Sequence, residues 1–214
     1  MLTRGRVIFD KRRHEYSLKR GDGTLIKIPI STTGLVSRYF EKFDAEAAAA
    51  RIGAAHPIYG ALVKKNKDNA VAAICKLWKE TGAAAAKHGS MVHEWAESFV
   101  CGFSPAVPAS AVNEAAQISA FVAEYGLFPE AAEVKVWYDD DAGFPVAAGT
   151  IDAIFKRGSE TVLVDWKCSQ KSLKTRAWRR GLGHMSHLAD TKETRYSLQA
   201  RPLGLCFGGV ELWG

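Results

Sequence analysis

Two stretches decide how this sequence reads: Ala148-Gly-Thr-Ile-Asp-Ala-Ile-Phe155 and Thr161-Val-Leu-Val-Asp-Trp-Lys167, joined by Lys156-Arg-Gly-Ser-Glu160. Each is short, rich in β-branched and apolar residues, and bounded by turn residues, which is the pattern of a strand. If Gly158-Ser159 forms a two-residue hairpin turn, as a leading glycine favours, Arg157 pairs with Glu160. Counting back in that register sets Asp152 opposite Asp165, and the two-residue period of a strand puts Lys167 on their face. Phe155 with Val162 and Ala153 with Val164 fill the other face, while Ile154 and Leu163 extend the acidic one. Cross-strand partners have Cβ atoms roughly 4.5–5.5 Å apart, a spacing at which like charges repel. Two carboxylates so placed ask for a cation, and hard oxygen ligands suit Mg²⁺, with Mn²⁺ as its substitute. An isolated D-x-K is most often an exposed pair on a hairpin, but the apolar Val162-Leu-Val164 run ahead of Asp165 favours a sheltered one.

Working outward, Val7–Asp10 and His14–Leu18 read as a hairpin, and the Gly21-Asp22-Gly23 turn leads into Leu25-Ile-Lys-Ile-Pro29. Ser31 is placed to cap a helix carrying Leu35, Val36, Tyr39 and Phe40. Alanine-rich helix follows to about Arg51, and another helix runs from Val71 to Glu80. Past Gly82 and Ala83–Ala86 a third covers Ser90–Val100, and Ala111–Tyr125 is helical again beyond the Pro105 and Pro108 loop. In Ser90–Val100, Val92, Trp95, Ala96 and Phe99 make a buried stripe. Gly89, His93 and Glu97 fall at i, i+4 and i+8 on its flank, where the missing side chain of Gly89 leaves room for another backbone. Glu133–Tyr138 precedes the two opening strands as a third. Helices first, then a β-meander, then a basic segment predict an α+β fold: a central sheet flanked by helices, plus an N-terminal hairpin and helices. The expected division is 1–80 for the N-terminal hairpin and helices and 81–214 for the core, together in one compact domain.

The 214 residues, 47% hydrophobic and 24% charged, suffice for one sizeable core. No apolar run approaches the roughly 20 residues of a membrane span. Met1-Leu-Thr-Arg-Gly-Arg6 lacks the apolar stretch of a secretory signal, so an intracellular, non-secreted protein is expected. Cys75, Cys101, Cys168 and Cys206 are scattered, without the paired spacing of zinc or iron–sulfur sites, and read as free thiols. The net charge of +6 is concentrated in part at Lys171, Lys174, Arg176, Arg179 and Arg180, a run without an acid that serves equally as a solvated face or a phosphate-contacting loop. Trp178 within it reads as packing before it reads as a stacking platform, and His88, His184 and His187 have no motif around them.

Taken in order, G-x-x-x-H-x-x-x-E (Gly89, His93, Glu97), G-x-x-D (Gly149, Asp152) and D-x-K (Asp165, Lys167) resemble the RecB-type branch of the PD-(D/E)xK nucleases, which includes phage, viral and mitochondrial genome maintenance exonucleases. The resemblance covers about Trp78 to Gln199, and His14-x-Tyr16 and Ser31-Thr-Thr33 are similar to the entry segment of the viral and mitochondrial members. It implies a restriction-endonuclease-like core with a mixed central sheet. It further implies metal binding by His93, Asp152, Asp165 and the Trp166 carbonyl, Lys167 as catalytic lysine, Glu97 as supporting acid and Glu133 as a further acid. Tyr196 and Gln199, in the place of the family's Q-x-x-x-Y helix, would lie near the site or the DNA, beside the basic run. The activity implied is Mg²⁺-dependent hydrolysis of DNA, from a single-stranded or free end, in replication, recombination or repair. A nucleic-acid-binding protein without turnover and a structure-specific endonuclease are the alternatives. Leu203 stands where the family has an aromatic, and Pro202 is expected to end the helix, since proline inside a helix costs about 3 kcal/mol. The segment up to Gly214 is therefore expected to be truncated or to finish the fold by another route.

Overall fold

A computed structural model describes residues 7–169 and 179–205. Strands β1 (Val7–Asp10) and β2 (Glu15–Lys19) form the expected hairpin, with Phe9 opposite Tyr16, and β3 (Leu25–Lys27) pairs with the other edge of β2. The short β4 (Ile30–Ser31) runs directly into α1 (Thr32–Ser37), where the Ser31 hydroxyl accepts the Gly34 N–H at 3.0 Å and so caps the helix as its position predicts.

Helices α2 (Ala45–Ala50) and α3 (Gly60–Asn66) follow, α2 capped by the Asp44 carboxylate. Trp78 lies between Phe43 and Tyr59, 5.7 Å from each ring. It belongs to α4 (Ala70–Val100), a single helix where two were expected. Gly82 does not interrupt it: neither Gly82 nor Gly89 takes the left-handed conformation that closes helices. A glycine in a helix interior costs only about 1 kcal/mol against alanine, and Ala83–Ala86 favour continuation.

After α4 come α5 (Val112–Glu124), β5 (Phe128–Asp139), β6 (Pro145–Arg157), β7 (Glu160–Val164) and α6 (Lys192–Leu205). The β6–β7 hairpin has the register expected from its turn, with Arg157 opposite Glu160 and Ala153 opposite Val164. Gly158 supplies a φ of +61° at the leading turn position. The strands differ in extent from the pattern. β5 and β6 are longer, while β7 stops at Val164, so Asp165 and Lys167 lie past its end. The helical backbone of α6 runs past Pro202 to Leu205, against expectation; the proline removes one hydrogen bond without ending the element.

The chain thus has an α+β fold with one antiparallel sheet, β1-β2-β3, and one mixed sheet in which β6 is central. β5 pairs along one edge of β6 from Phe128 to Asp139. The other edge is shared: parallel β4 pairs at Ala147 and Ala148, and antiparallel β7 pairs from Ala153 onward. β6 is buried on both faces. Ala153 and Phe155 pack with Val162, Val164, Leu127 and the Val100 end of α4, and Phe121 and Val122 of α5 close over them. Ile154 and Leu163 pack with Val136 on the opposite side.

The chain divides by compactness into Met1–Glu41 with Val92–Gly214, and Lys42–Met91. The N-terminal hairpin and α1 therefore group with the core sheet and not with α2 and α3, and β4 is itself a strand of that sheet. Among the described residues, no helix is long and apolar enough to cross a membrane.

Phe155 is wholly buried, so truncation leaves a cavity between β6 and α5. Phe155→Ala is expected to cost about 3–5 kcal/mol and Phe155→Leu distinctly less, measured as the shift in urea midpoint at constant slope.

Candidate metal centre

The divided edge of β6 creates the site. Between the residues paired with β4 and those paired with β7 lies Asp152. Where β7 has ended, the Trp166 N–H has no strand partner and donates to Asp152 Oδ2 at 2.7 Å. The Trp166 indole is fixed on the core side, edge-on to Phe121 and Phe155 at 6.0 and 6.4 Å between centroids. β6 runs unbroken through Asp152, whose side chain meets His93 of α4.

His93 bridges both groups. Its Nε2 lies 2.9 Å from the Trp166 carbonyl and its Nδ1 3.5 Å from Asp152 Oδ2. A carbonyl only accepts, so Nε2 carries the proton, and in the neutral ring Nδ1 keeps its lone pair on the Asp152 side. A metal-binding histidine is commonly oriented in this way by a second partner. The Trp166 carbonyl, expected as a ligand, accepts this hydrogen bond from the imidazole.

Glu133 completes the cluster. It faces Asp152 by position, since Ala132 pairs with Ala153 and Val134 with Ile151. Its φ of +50° is a left-handed conformation that a non-glycine residue in a strand adopts only at a cost of order 1–3 kcal/mol. Ligand atoms of His93, Glu133 and Asp152 all lie within 4.8 Å of one another. Three atoms bound about 2.1 Å from one ion are at most about 4.2 Å apart, so a small inward adjustment would let them share a cation. One imidazole and two carboxylates suit a borderline cation such as Mn²⁺ better than Mg²⁺, which prefers oxygen alone.

Asp165 and Lys167 stand beside this cluster. Asp165 lies next to Asp152 in register, but its Oδ2 is paired with the Lys167 ammonium. Lys167 Nζ is also 3.5 Å from the Trp166 carbonyl and 5.5 Å from the ring of Tyr196. Asp152, with a side chain only 11% exposed, has its pKa pushed up to about 6, chiefly by burial and then by the Asp165 carboxylate; His93, Lys167 and the Trp166 N–H offset part of this. A carboxylate that resists ionisation beside two other acids is a group that a cation would relieve.

Glu97 is exposed on α4 and is not among the clustered ligands, and among the described residues no backbone comes within 4 Å of a Cβ placed at Gly89. Arg179 pairs with Glu41 at 3.3 Å, and Arg180 donates to the His187 carbonyl at 3.0 Å, which gives both arginines partners within the chain. Gln199 is half-buried on α6, one turn from Tyr196. Lys171, Lys174, Arg176 and Trp178 lie outside the described residues. Tyr16, noted in the sequence only for the entry segment, is a neighbour of the site: its hydroxyl is 3.0 Å from Thr150 Oγ1, two residues before Asp152. Burial raises its pKa, and the carboxylates of Glu133 and Asp152 add to the effect.

The raised pKa fixes a pH dependence. From about pH 4 to 6 the folded protein holds a proton on Asp152 that the unfolded chain has released, so this group's contribution to stability falls as pH rises through that window. Without added metal, Asp152→Asn is expected to stabilise the protein at pH 8, by on the order of 1–3 kcal/mol, and to change little near pH 4. Mn²⁺ should raise the thermal midpoint of the parent at pH 8 and have little effect at pH 5, where protons compete for the site; thermal melts at the two pH values check both.

Compared with protein-family models, with curated proteins and with solved structures, the chain matches none.

Proposed function

We propose that this chain is a divalent-cation-dependent nuclease that hydrolyses DNA phosphodiester bonds, with a core of the PD-(D/E)xK type and the RecB-type motif order. The observation that carries the reading is the convergence on the backbone of one residue, Trp166, of a sheltered Asp152, an oriented His93 and a lysine, with Glu133 completing a cation-sized cluster.

When bound, a divalent cation supplies positive charge against the phosphoryl oxygens and lowers the pKa of the attacking water. The chain's own groups divide the remaining work. His93, Glu133 and Asp152 would hold the cation, their ligand atoms lying within 4.8 Å of one another. Lys167, beside them, offers ammonium protons to the charge that grows on the phosphoryl oxygens. Asp165 positions Lys167 through their ion pair, and the ring of Tyr196 bounds its other side. The basic run from Lys171 to Arg180 would hold the strand's phosphates with strong salt dependence and little sequence readout.

A second reading has one observation in its favour. The Lys167–Asp165 pair engages both groups with each other, as would suit a nucleic-acid-binding protein without turnover. Linear and circular single-stranded DNA, each incubated with Mn²⁺, Mg²⁺ or chelator, separate the readings. The nuclease reading expects degradation of linear DNA, sparing of circles by an end-dependent enzyme, full loss with chelator, and activity at lower concentrations of Mn²⁺ than of Mg²⁺. Lys167→Ala should lower kcat about 100-fold or more, the worth of one preorganised donor, with little change in binding. Metal-dependent binding with no cleavage over long incubation would establish the second reading instead.

A further inference from the structure

β5 is the outer strand of the mixed sheet, and β1 is an outer strand of the antiparallel one. Between them runs a groove of about 520 Å³, with Val7, Ile8 and Phe9 on one side and residues 131–135 on the other. That volume is in the range of small-ligand sites. Glu133 belongs both to this groove and to the cluster with His93 and Asp152, so the groove and the candidate centre share a residue. Its walls are largely apolar: Val7, Ile8 and Phe9 face Ala131, Ala132 and Val134. One cation stands among them, Lys135, whose ammonium is steadied by the Glu133 carbonyl at 3.3 Å. Phe9 does not stand alone, for Tyr16 packs against it with centroids 4.5 Å apart and a 30° tilt, and His14 lies 5.5 Å away. Tyr16 is in turn tied to Thr150 on β6. The ring of Phe9 is thus a braced surface, linked through Tyr16 and Thr150 to the strand that carries Asp152.

We propose that this groove receives the nucleobase flanking the scissile phosphate, with the ring of Phe9 as its stacking wall and Lys135 as a contact for the neighbouring phosphate. The inference rests on the nuclease reading and specifies its substrate: a single strand whose bases are free to turn out, in any sequence, since every base has a π-face. The spacing argues against an added peptide strand. β1 and β5 approach within 8 Å between Cα atoms, and a strand inserted between them would need two spacings of about 4.8 Å. A flat ring entering edgewise needs less width, and Lys135 offers its phosphate the one positive charge of the lining.

The test is binding of a fluorescent single-stranded oligonucleotide with Ca²⁺ in place of the activating ion, scanned with one abasic position at a time, alongside cleavage kinetics with Mn²⁺. The parent should lose affinity roughly ten-fold or more when the abasic position flanks the cleavage point, the worth of one base–aromatic stack. Phe9→Leu keeps an apolar group in the wall and removes the aromatic face. It should weaken binding of the intact strand by a similar factor, raise KM more than it lowers kcat, and become indifferent to the abasic position. Phe9→Trp should retain both affinity and abasic sensitivity, which also shows that the site tolerates substitution. If Phe9→Leu binds as the parent does, with the same abasic penalty, while the enzyme still cleaves, the groove assignment is overturned and the nuclease reading stands. A parent protein that neither binds nor cleaves single strands overturns both, and competition by peptides but not by oligonucleotides overturns the groove's nucleic-acid assignment.

Discussion

When β7 leaves the sheet after Val164, one backbone N–H is left over, and the Asp152 carboxylate takes it. That hydrogen bond turns the end of a strand into a junction. The two polar groups of the Trp166 residue point different ways, the N–H to β6 and the carbonyl to His93 on α4, while its indole is held between Phe121 and Phe155. A core side chain thereby sets the distance between a helix and a sheet at the point where their polar groups meet. Asp165 and Lys167, on either side of Trp166 in sequence, inherit their positions from it.

Charge balance explains why such an arrangement has a direction. Asp152, Glu133 and Asp165 crowd one region with three carboxyl groups, and the only fixed cation in contact with them, among the described residues, is Lys167, already spent on Asp165. Folding tolerates the excess by keeping Asp152 reluctant to ionise. Glu133 adds a backbone cost of its own through its positive φ. Costs of two kinds at neighbouring residues, electrostatic and conformational, are what a protein carries where it is prepared to hold something from outside.

Much of this was legible in the sequence, and the parts that were not have identifiable causes. The β6–β7 register follows from a two-residue turn because so short a loop leaves no slack, and Ser31 marks a helix start because a hydroxyl there has a specific donor to satisfy. Glu133 stayed indistinct because a longer connection, residues 140–144, joins β5 to β6, so no count fixes which acid of β5 meets Asp152. The end of β7 was equally hidden. Asp165-Trp166-Lys167 continues the alternating pattern, and only a side chain fourteen residues earlier draws the Trp166 N–H out of the ladder. The unbroken α4 and the continuation of α6 past Pro202 show local breakers overruled where neighbouring residues favour the helix. For the site, pattern brought His93, Asp152 and Lys167 to attention; the roles of the Trp166 backbone and of Asp165 depend on distances that no spacing encodes.

The outer edge of β5 has one more consequence. An uncovered strand edge is a template on which another chain can add by hydrogen bonding. Here Pro129 contributes no N–H, the register slips between Pro129 and Ala131 and again at Asp139, Glu133 twists the backbone out of the extended form, and Lys135 adds a charge. The irregularities that shape the groove also make this edge a poor surface for strand-to-strand self-association, so solubility and site geometry draw on the same few residues. Straightening β5 into an ideal strand would cost the protein both.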